Sequence, residues 1–445
     1  MPSEPQSEPQ RVVDDTGVEF ILGQKIAKGT QGTVFRVEGY PGYAIKLMNR
    51  PEDLERIAAV RRLPLDGLSV AAPLTLIHTG GTGYLMPLAS DMKPIREPYL
   101  PREFGPRETN AAWYRQTGGL RRRLAIAANM ARSIAALHER GLAYVDLNPG
   151  NVMVSDDLNR TETWLIDTDN LTSRSGPKWD ILGFPGYVAP ERKRRKAPAS
   201  TLADTYILAI HVFRLLVLRH PLEGIAADSM DGNEARERMD CGDLAHVGDP
   251  QDRSNQLPPR SFPAALFPLV MSGRMRSLAE RTFGDGRLEP AKRPGSARWR
   301  DVLFNALDNT VDCPDNCGWT YFRLLKSCPN CGAVTPGPAI ITVYSTADEQ
   351  PLAARDSLVA SASLATAVLP RHVWGRHDQA HPVVTFRPVR GGFEVEAHDE
   401  AQVTDANGTA VSRIPQPTGT EEYRVLLDAP GHPTRLLALR SVPLT

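Results

Sequence analysis

The chain of 445 residues is about three times the length of a typical domain, which predicts two to four domains. Hydrophobic residues make up 41% of the sequence, enough to fill several cores, so a wholly disordered chain is excluded. The 52 Lys and Arg residues balance 52 Asp and Glu residues, which argues against a nucleic-acid or membrane-surface partner.

The beginning of the chain and its apolar runs bear on localisation. The first ten residues, MPSEPQSEPQ, are polar and lack the basic and apolar regions of a secretory signal. The longest apolar stretch, residues 207–218, contains His211 and Arg214 and is too short to cross a bilayer. We therefore expect a cytoplasmic protein.

Composition and periodicity divide the chain into segments of different character. Short β-rich runs separated by Gly and Pro come first, helical periodicity follows, and a cysteine cluster precedes a second β-rich region. The predicted fold class is therefore α+β, ending in an all-β, sandwich-like domain. The predicted segments are a disordered tail (1–11), a small β-rich lobe (12–88), a larger helical lobe (89–310), a ribbon (311–334), a linker (335–338) and the β-rich domain (339–445).

A glycine-rich turn lies between two strand-like runs near the start of the chain. In AKGTQGTV at 27–34, Gly29 and Gly32 allow backbone N–H groups to approach phosphate oxygens, although a purely structural hairpin is the alternative. Twelve residues beyond Val34, Lys46 ends the strand-like run YAIK. Lys46 is either a solvated strand end or the cation that pairs with the α- and β-phosphates of a nucleotide.

A second group of polar residues follows in the helical region. YVDLNPGNVMV at 144–154 places Asp146 and Asn151 five residues apart before an apolar strand, and WLIDTD places Asp167 sixteen residues after Asn151. The segment GFPGYVAPE ends at Glu191, before a helix-like apolar run. The order and spacing of these motifs are not expected from composition alone.

Together these motifs resemble those of eukaryotic-like (Hanks-type) serine/threonine protein kinases over roughly residues 18–310. The resemblance implies a two-lobed kinase fold that transfers the γ-phosphoryl group of ATP to a protein substrate with Mg²⁺ or Mn²⁺ as cofactor. It also implies catalytic residues, with Asp146 as the base, Lys46 on the phosphates and Asn148 beside them, and Mg²⁺ ligands Asn151 and Asp167. The implied structural residues are Glu191, Asp204 and Arg293. The implied ATP-binding residues are Ala27, Gly29, Gly32, Val34, Ala44, Lys46, Glu55, Met86 and Leu88.

Two of these assignments depend on position within an element. Glu55 is preferred over Glu52 as the carboxylate that orients Lys46, because Glu55 lies one turn further into the predicted helix. Met86 belongs to YLMPL at 84–88, which suits the hinge that binds adenine through backbone groups. Met86 is therefore expected near the back of the nucleotide pocket.

Several positions depart from the family pattern. Val145 replaces the Arg that binds an activation-loop phosphate, so we expect activity without phosphate on residues 172–175. Asn148 replaces the Lys that neutralises the γ-phosphate, and Thr168-Asp169 replace Phe-Gly. A pseudokinase scaffold and a small-molecule phosphotransferase are the alternatives, although the A-P-E segment favours a protein substrate.

Three short motifs are similar to those of one bacterial kinase subgroup: DLNPGN, LIDTDN and HPLEG. Kinases of that subgroup are associated with a metal-dependent protein phosphatase and a von Willebrand A-type protein. The resemblance therefore implies these two proteins as partners.

Four of the five cysteines form two short hooks, CPDNC and CPNCG, separated by ten residues. Such hooks resemble a zinc ribbon, in which four thiolates surround one Zn²⁺ tetrahedrally. In a cytosolic protein zinc is favoured over disulfides, and four protein ligands make the site closed and structural. The predicted ligands are Cys313, Cys317, Cys328 and Cys331.

The last hundred residues alternate apolar and polar positions between turns such as Asn407-Gly408, which predicts a β-sandwich. The spacing from WGRHD to NGTAV resembles forkhead-associated domains, which implies phosphopeptide binding. The Ser-x-x-His part of that pattern is absent from the chain.

Overall fold

The computed structural model describes residues 10–99, 105–173, 183–346 and 357–442. Two compact units make up the chain. The first lies within residues 1–103, 129–258 and 278–297, and the second within residues 104–128, 259–277 and 298–445. Of the predicted tail, residues 1–9 lie outside the described residues, and Arg11 already belongs to the first strand.

The first unit begins with a closed antiparallel barrel in the order β1-β2-β3-β4-β6-β5. Apolar side chains such as Val12, Phe20 and Ile45 alternate inward along the strands and fill one core cluster of the barrel. The helix α1 (Leu54–Arg61) lies between β4 and β5 in the chain. The strands are β1 (Arg11–Asp14), β2 (Glu19–Lys28), β3 (Gly32–Val37), β4 (Tyr40–Met48), β5 (Thr75–Thr79) and β6 (Gly83–Pro87).

Helices and short strands follow the barrel. The helix α6 (Thr201–Val217) is buried on nearly all sides because it is apolar all round, and the Ser200 side chain caps its first turn. Three helices before α6 are α2 (Arg96–Tyr99), α3 (Arg107–Gln116) and α4 (Gly119–Glu139), and α5 (Pro190–Lys193) directly precedes it. After α6 come α7 (Ile225–Asp228), α8 (Gly232–Asp240), α9 (Phe262–Val270), α10 (Gly273–Phe283), α11 (Asp285–Leu288) and α12 (Ser296–Asp308).

Five short strands in this region carry the loops of the candidate site. β9 pairs on one side with β10 and on the other with β7, and β8 pairs with β11. Their bounds are β7 (Met92–Pro94), β8 (Leu142–Ala143), β9 (Val152–Ser155), β10 (Thr163–Leu165) and β11 (Thr172–Ser173). No helix within the described ranges is long and apolar enough to span a bilayer.

In the second unit, the cysteine hooks adjoin an antiparallel hairpin of β12 (Thr310–Asp312) and β13 (Thr320–Phe322). Arg121 in the first turn of α4 forms two hydrogen bonds with the Asp312 carboxylate, at 2.7 and 2.9 Å. In the same unit, Trp319 packs against Tyr114 of α3 with ring centroids 5.6 Å apart. The hairpin is therefore held on α3 and the start of α4 by this ion pair, this aromatic contact and further hydrogen bonds from Arg121 to Thr310 and Thr320.

The C-terminal region forms a five-stranded sheet, β15-β14-β22-β21-β19, and a four-stranded sheet, β16-β17-β18-β20. Apolar residues of both sheets, among them Val343, Leu437 and Phe386, pack in one core. The strands are β14 (Ala339–Ser345), β15 (Ser357–Ala360), β16 (Thr366–Val368), β17 (Val384–Val389), β18 (Gly392–Ala397), β19 (Gln402–Thr404), β20 (Arg413–Pro415), β21 (Glu422–Asp428) and β22 (Arg435–Ser441), with α13 (Pro370–Val373) after β16.

Candidate active site

The loop between β8 and β9 presents Asp146 between two amide side chains. The amide nitrogen of Asn148 donates to one carboxylate oxygen of Asp146 at 3.0 Å, and that of Asn151 donates to the other at 3.1 Å. Asn151 also donates to the main-chain carbonyl of Asp146. Because each carboxylate oxygen accepts a hydrogen bond from an amide, the orientation of the Asp146 side chain is fixed within the loop.

The backbone just before Asp146 is strained and is braced by Asp204 of α6. Val145 has a φ of 76°, which is rare for a β-branched residue. The buried carboxylate of Asp204 accepts the N–H groups of Tyr144 and Val145 at 2.6 and 2.9 Å. These two hydrogen bonds offset the cost of the strained turn and fix the direction in which the chain enters the loop.

A histidine of α6 forms a hydrogen bond with the backbone of the same loop. The Nε2 atom of His211 lies 2.9 Å from the carbonyl oxygen of Leu147. Burial lowers the pKa of His211 to about 4, so the ring is neutral at pH 7 and donates its N–H to that carbonyl. The loop is thus fixed to α6 at both Asp204 and His211.

Lys46 at the end of β4 meets two carboxylates of the segment that follows β10. Its Nζ atom contacts one carboxylate oxygen of Asp167 and one of Asp169. Burial disfavours the charge on Lys46, but Asp169 and Asp167 outweigh that effect and raise the pKa of the ammonium group. Lys46 is therefore a buried cation held between two acids.

Glu55 does not lie against Lys46, contrary to the sequence-based expectation. Glu55 is exposed, while Leu54, Ile57 and Ala58 of α1 pack into the core cluster around Tyr84. In a helix, residues 54, 57 and 58 share one face and residue 55 faces elsewhere. The face of α1 that packs inward is apolar at these positions, and the carboxylates beside Lys46 are those of Asp167 and Asp169.

The glycine-rich turn joins β2 to β3, with Ala27 paired to Val34 across the hairpin. A Cβ atom on Gly32 would lie 2.3 Å from the carbonyl oxygen of Leu47, so this glycine is required by the approach of β4. A Cβ atom on Gly29 meets nothing closer than 3.9 Å. Gln31 at the tip of the turn lies 3.3 Å from the Nζ atom of Lys46, which places the turn over the lysine.

The predicted hinge lies on β6 and the residue after it. Met86 pairs with Ala44 of β4, and both side chains are buried in the core cluster that contains Tyr84. The N–H of Leu88 donates to the carbonyl of Gly42 at 2.9 Å. The Leu88 amide is therefore already paired within the barrel.

Glu191 and Arg293 form a buried, two-pronged ion pair. Two guanidinium nitrogens of Arg293 donate to the two carboxylate oxygens of Glu191, each at 2.7 Å. Arg293 also donates to the carbonyls of Gly286 and Leu202 and lies over the ring of Tyr206. The pair anchors the segment that ends in Ala-Pro-Glu to the helices behind it.

The predicted phosphorylation segment is described only in part. Thr172 is buried in β11, where it pairs with Ala143, and Ser173 pairs with Leu142. Ser175 lies outside the described residues. Thr172 is therefore not exposed for modification in this conformation.

The four clustered cysteines converge on one point beside the β12–β13 hairpin. Their Sγ atoms all lie within 4.8 Å of one another, with 3.4 Å between Cys313 and Cys331 and 3.6 Å between Cys317 and Cys328. All four are free thiols, as is Cys241 elsewhere in the chain. This donor set could hold a metal ion.

Asp169 and Tyr84 are the site residues that sequence reasoning missed. In the sequence, Asp169 stands out only as a departure from the family pattern, and Tyr84 only as the start of the hinge run. A signal for Asp169 was available, because α1 has apolar residues at the spacing of an inward face and a second acid follows Asp167 after one residue. The signal for Tyr84 is weaker, since a buried tyrosine in a strand is common.

A barrel lysine, a held carboxylate and adjacent acid and amide oxygens define a site suited to phosphoryl transfer. A family model described as protein kinase domain matches residues 20–296. This match covers more than half of the chain, and the protein belongs to the protein kinase family.

The most similar curated proteins include further kinases. The chain is 25% identical over 344 residues to protein kinase YegI of Escherichia coli strain K12. That alignment covers 74% of this chain and 51% of YegI. The chain is 26% identical over 235 residues to serine/threonine-protein kinase PkaA of Streptomyces coelicolor, covering 47% of this chain and 41% of the relative. It is 23% identical over 227 residues to CBL-interacting protein kinase 4 of rice, covering 46% of each. The chain spans about half the length, or less, of the curated relatives that it matches.

Proposed function

We propose that this protein is an ATP- and Mg²⁺-dependent kinase that phosphorylates Ser or Thr hydroxyl groups of a protein substrate. The observation that carries the proposal is that Lys46, Asp146, Asn151 and Asp167 lie together in one unit, where Lys46 contacts Asp167 and Asn151 donates to Asp146. Burial raises the pKa of Asp167 despite the opposing charge of Lys46, and the charges of Asp169 and Asp146 add to that rise. Carboxylate and amide oxygens such as those of Asp167 and Asn151 are ligands that Mg²⁺ accepts. When bound, Mg²⁺ neutralises charge on the transferred phosphoryl group.

The chain's own residues have separate tasks in the proposed reaction. Asp146 accepts the proton of the substrate hydroxyl. At the same time the hydroxyl oxygen forms a bond to the γ-phosphorus, and the bond between that phosphorus and ADP breaks. Lys46 holds the α- and β-phosphates. Asn148 orients the carboxylate of Asp146 through its hydrogen bond. Unlike the lysine of the family pattern, it brings no positive charge to the γ-phosphate.

Two other functions compete with this proposal. A pseudokinase scaffold would bind nucleotide without turnover, but the groups for proton, phosphate and metal are all present in the described site. A small-molecule phosphotransferase would use the same loop. The buried pair of Glu191 and Arg293 favours a protein substrate, because it fixes the Ala-Pro-Glu segment that protein kinases of this kind contain.

The test is incubation of the purified protein with Mg·ATP and a generic protein substrate such as casein or myelin basic protein, followed by mass spectrometry of both proteins. We expect phosphate on Ser or Thr residues and none when Mg²⁺ and Mn²⁺ are chelated. Nucleotide binding without any phosphoryl transfer would favour the scaffold.

The cysteine cluster supports a second part of the proposal, a structural Zn²⁺ site. A tetrahedral site with bonds of about 2.3 Å has sulfur atoms about 3.8 Å apart, close to the separations of 3.4 and 3.6 Å between paired cysteines. Four protein ligands leave no open position for a substrate. The metal would stabilise the hairpin that Arg121 and Trp319 attach to α3 and α4.

We expect protein purified without chelator to contain one Zn²⁺ per chain. Cys328→Ser removes one of four ligands and should reduce the zinc content well below one per chain while lowering the melting temperature. Elemental analysis and thermal melting measure the two effects. Cys241→Ser is the matched control and should leave both unchanged. Full zinc content in Cys328→Ser would show that the cluster is not the metal site.

The metal-dependent phosphatase and the von Willebrand A-type partner stay predictions from the sequence resemblance. A cytoplasmic location stays a prediction from the polar start and the short apolar runs of the chain. The likeness of the C-terminal strands to phosphopeptide-binding domains is likewise only a sequence resemblance and assigns them no function.

A further inference from the structure

The carboxylate of Asp169 is completely buried, and each of its oxygens has a partner. One oxygen contacts the Nζ atom of Lys46, and the other accepts the hydroxyl of Tyr84. Burial and then the charge of Asp169 raise the pKa of Tyr84 well above its usual value, so the hydroxyl stays protonated and donates. A buried charge is costly unless it is paired and hydrogen-bonded, and Asp169 meets both conditions.

The backbone around Asp169 is fixed independently of Lys46. Asp167 has a φ of 58°, which starts a short 3₁₀ turn over Thr168–Asn170. The hydroxyl of the buried Thr168 donates to the carbonyl of Ala71 at 2.9 Å. Thr168 therefore ties the turn to the barrel side of the unit and sets the position from which Asp169 reaches Lys46.

Tyr84 packs in the same core cluster as α1 and lies near the lysine. Its ring is fully buried in the cluster that contains Ile57 of α1 and Ala44 of β4. The Nζ atom of Lys46 lies 6.0 Å from the centre of this ring. Tyr84 therefore packs with the apolar face of α1 while its hydroxyl holds Asp169.

Lys46 contacts one carboxylate oxygen of Asp167, the acid to which the proposed function gives a metal ion, whereas both oxygens of Asp169 are occupied by Lys46 and Tyr84. From this division we infer that Asp169 is the positioning residue for Lys46, and that Tyr84 fixes the direction of Asp169. In this protein the lysine is thus oriented from the segment after β10 and not from α1. The inference deepens the proposed function and rests on it for its kinetic test.

The test compares Asp169→Asn with Glu55→Ala by steady-state kinetics with ATP as the varied substrate. Asp169→Asn keeps the size of the side chain but removes its charge, and we expect kcat to fall about 100-fold and the KM for ATP to rise at least fivefold. Glu55→Ala should leave both within twofold. Tyr84→Phe, which removes one hydroxyl, should lower kcat about tenfold.

The split between kcat and KM separates positioning from a merely structural role. A variant that only unfolds part of the population has fewer active molecules, so kcat falls while the KM for ATP is unchanged. That pattern for Asp169→Asn, or kinetics equal to wild type, overturns the inference. A loss in Glu55→Ala as large as that in Asp169→Asn also overturns it. Should Asp169→Asn fail to fold, Tyr84→Phe decides by the same two parameters.

The affinity for Mg·ATP, measured by calorimetry, tests the role of Asp169 without requiring that the protein transfer phosphate. If wild-type protein binds Mg·ATP but transfers no phosphate, the proposed function fails and the inference is still tested by affinity. We expect Asp169→Asn to weaken binding at least tenfold and Glu55→Ala to leave it within twofold. Equal affinity in Asp169→Asn and wild type would overturn the role of Asp169.

Discussion

Asp146→Asn should lower kcat for phosphoryl transfer by about 10²–10⁴-fold, the range typical of a lost general base. Asparagine has nearly the size of aspartate but only one acceptor oxygen, so it keeps one of the two amide hydrogen bonds that orient the side chain, and the loop should stay folded. It cannot accept the hydroxyl proton, and it removes the negative charge that directs the substrate hydroxyl. Because Asp146 does not touch Lys46 in this structure, the KM for ATP and the affinity for Mg·ATP should change little.

The matched control is Asp157→Asn, a change of the same type on the exposed turn after β9. The carboxylate of Asp157 only accepts hydrogen bonds from Asn159, and the residue lies at the surface. Its kcat should equal that of wild type. Thermal melting of both variants within a few degrees of wild type would show that the fold is intact. Wild-type turnover in Asp146→Asn would contradict its assignment as the base.

The sequence was most informative where the site is built from one short segment. Asp146, Asn148 and Asn151 lie within six residues, and the hydrogen bonds among them are set by that local turn. Motif order then links this loop to Lys46 and Asp167, since a pattern of several motifs restricts the fold far more than any one of them. The resemblance to kinases therefore predicted the family that the comparisons show.

The partner of Lys46 could not be predicted from motif position alone. The family pattern predicts a helix glutamate, here Glu55, against the lysine. The orientation of α1 depends instead on which of its residues are apolar. Leu54 and Ile57 are three residues apart and turn that face toward the core, so Glu55 points elsewhere. Helical periodicity would have indicated this. The pairing with Asp169 is harder to foresee, because the two residues are 123 positions apart.

The attachment of the cysteine hairpin was also beyond sequence reasoning. Arg121 and Asp312 are 191 positions apart, and neither belongs to a recognisable motif. An arginine in a helix and an aspartate beside a cysteine hook are each most simply solvated residues. Their contact depends on how two separately predicted segments pack within one unit, which local patterns do not specify.

Arg293→Met is expected to destabilise the protein by about 3–5 kcal/mol, as breaking a buried ion pair from one side usually does. The side chain of Arg293 is fully buried and that of Glu191 is 10% exposed, so the substitution leaves a carboxylate in the interior without its cation. The carbonyls of Gly286 and Leu202 lose a donor as well. Urea denaturation followed by circular dichroism measures the change.

Lys292→Met is the control, since Lys292 is the neighbouring residue and also forms ion pairs, with Asp285 and Glu289. These three side chains are 48–75% exposed, so water screens the attraction and the free energy of unfolding should change little. The double variant Arg293→Met with Glu191→Gln should recover part of the stability lost in Arg293→Met, because the orphaned charge is gone. Equal effects of Arg293→Met and Lys292→Met would show that burial does not determine the strength of the Glu191 pair.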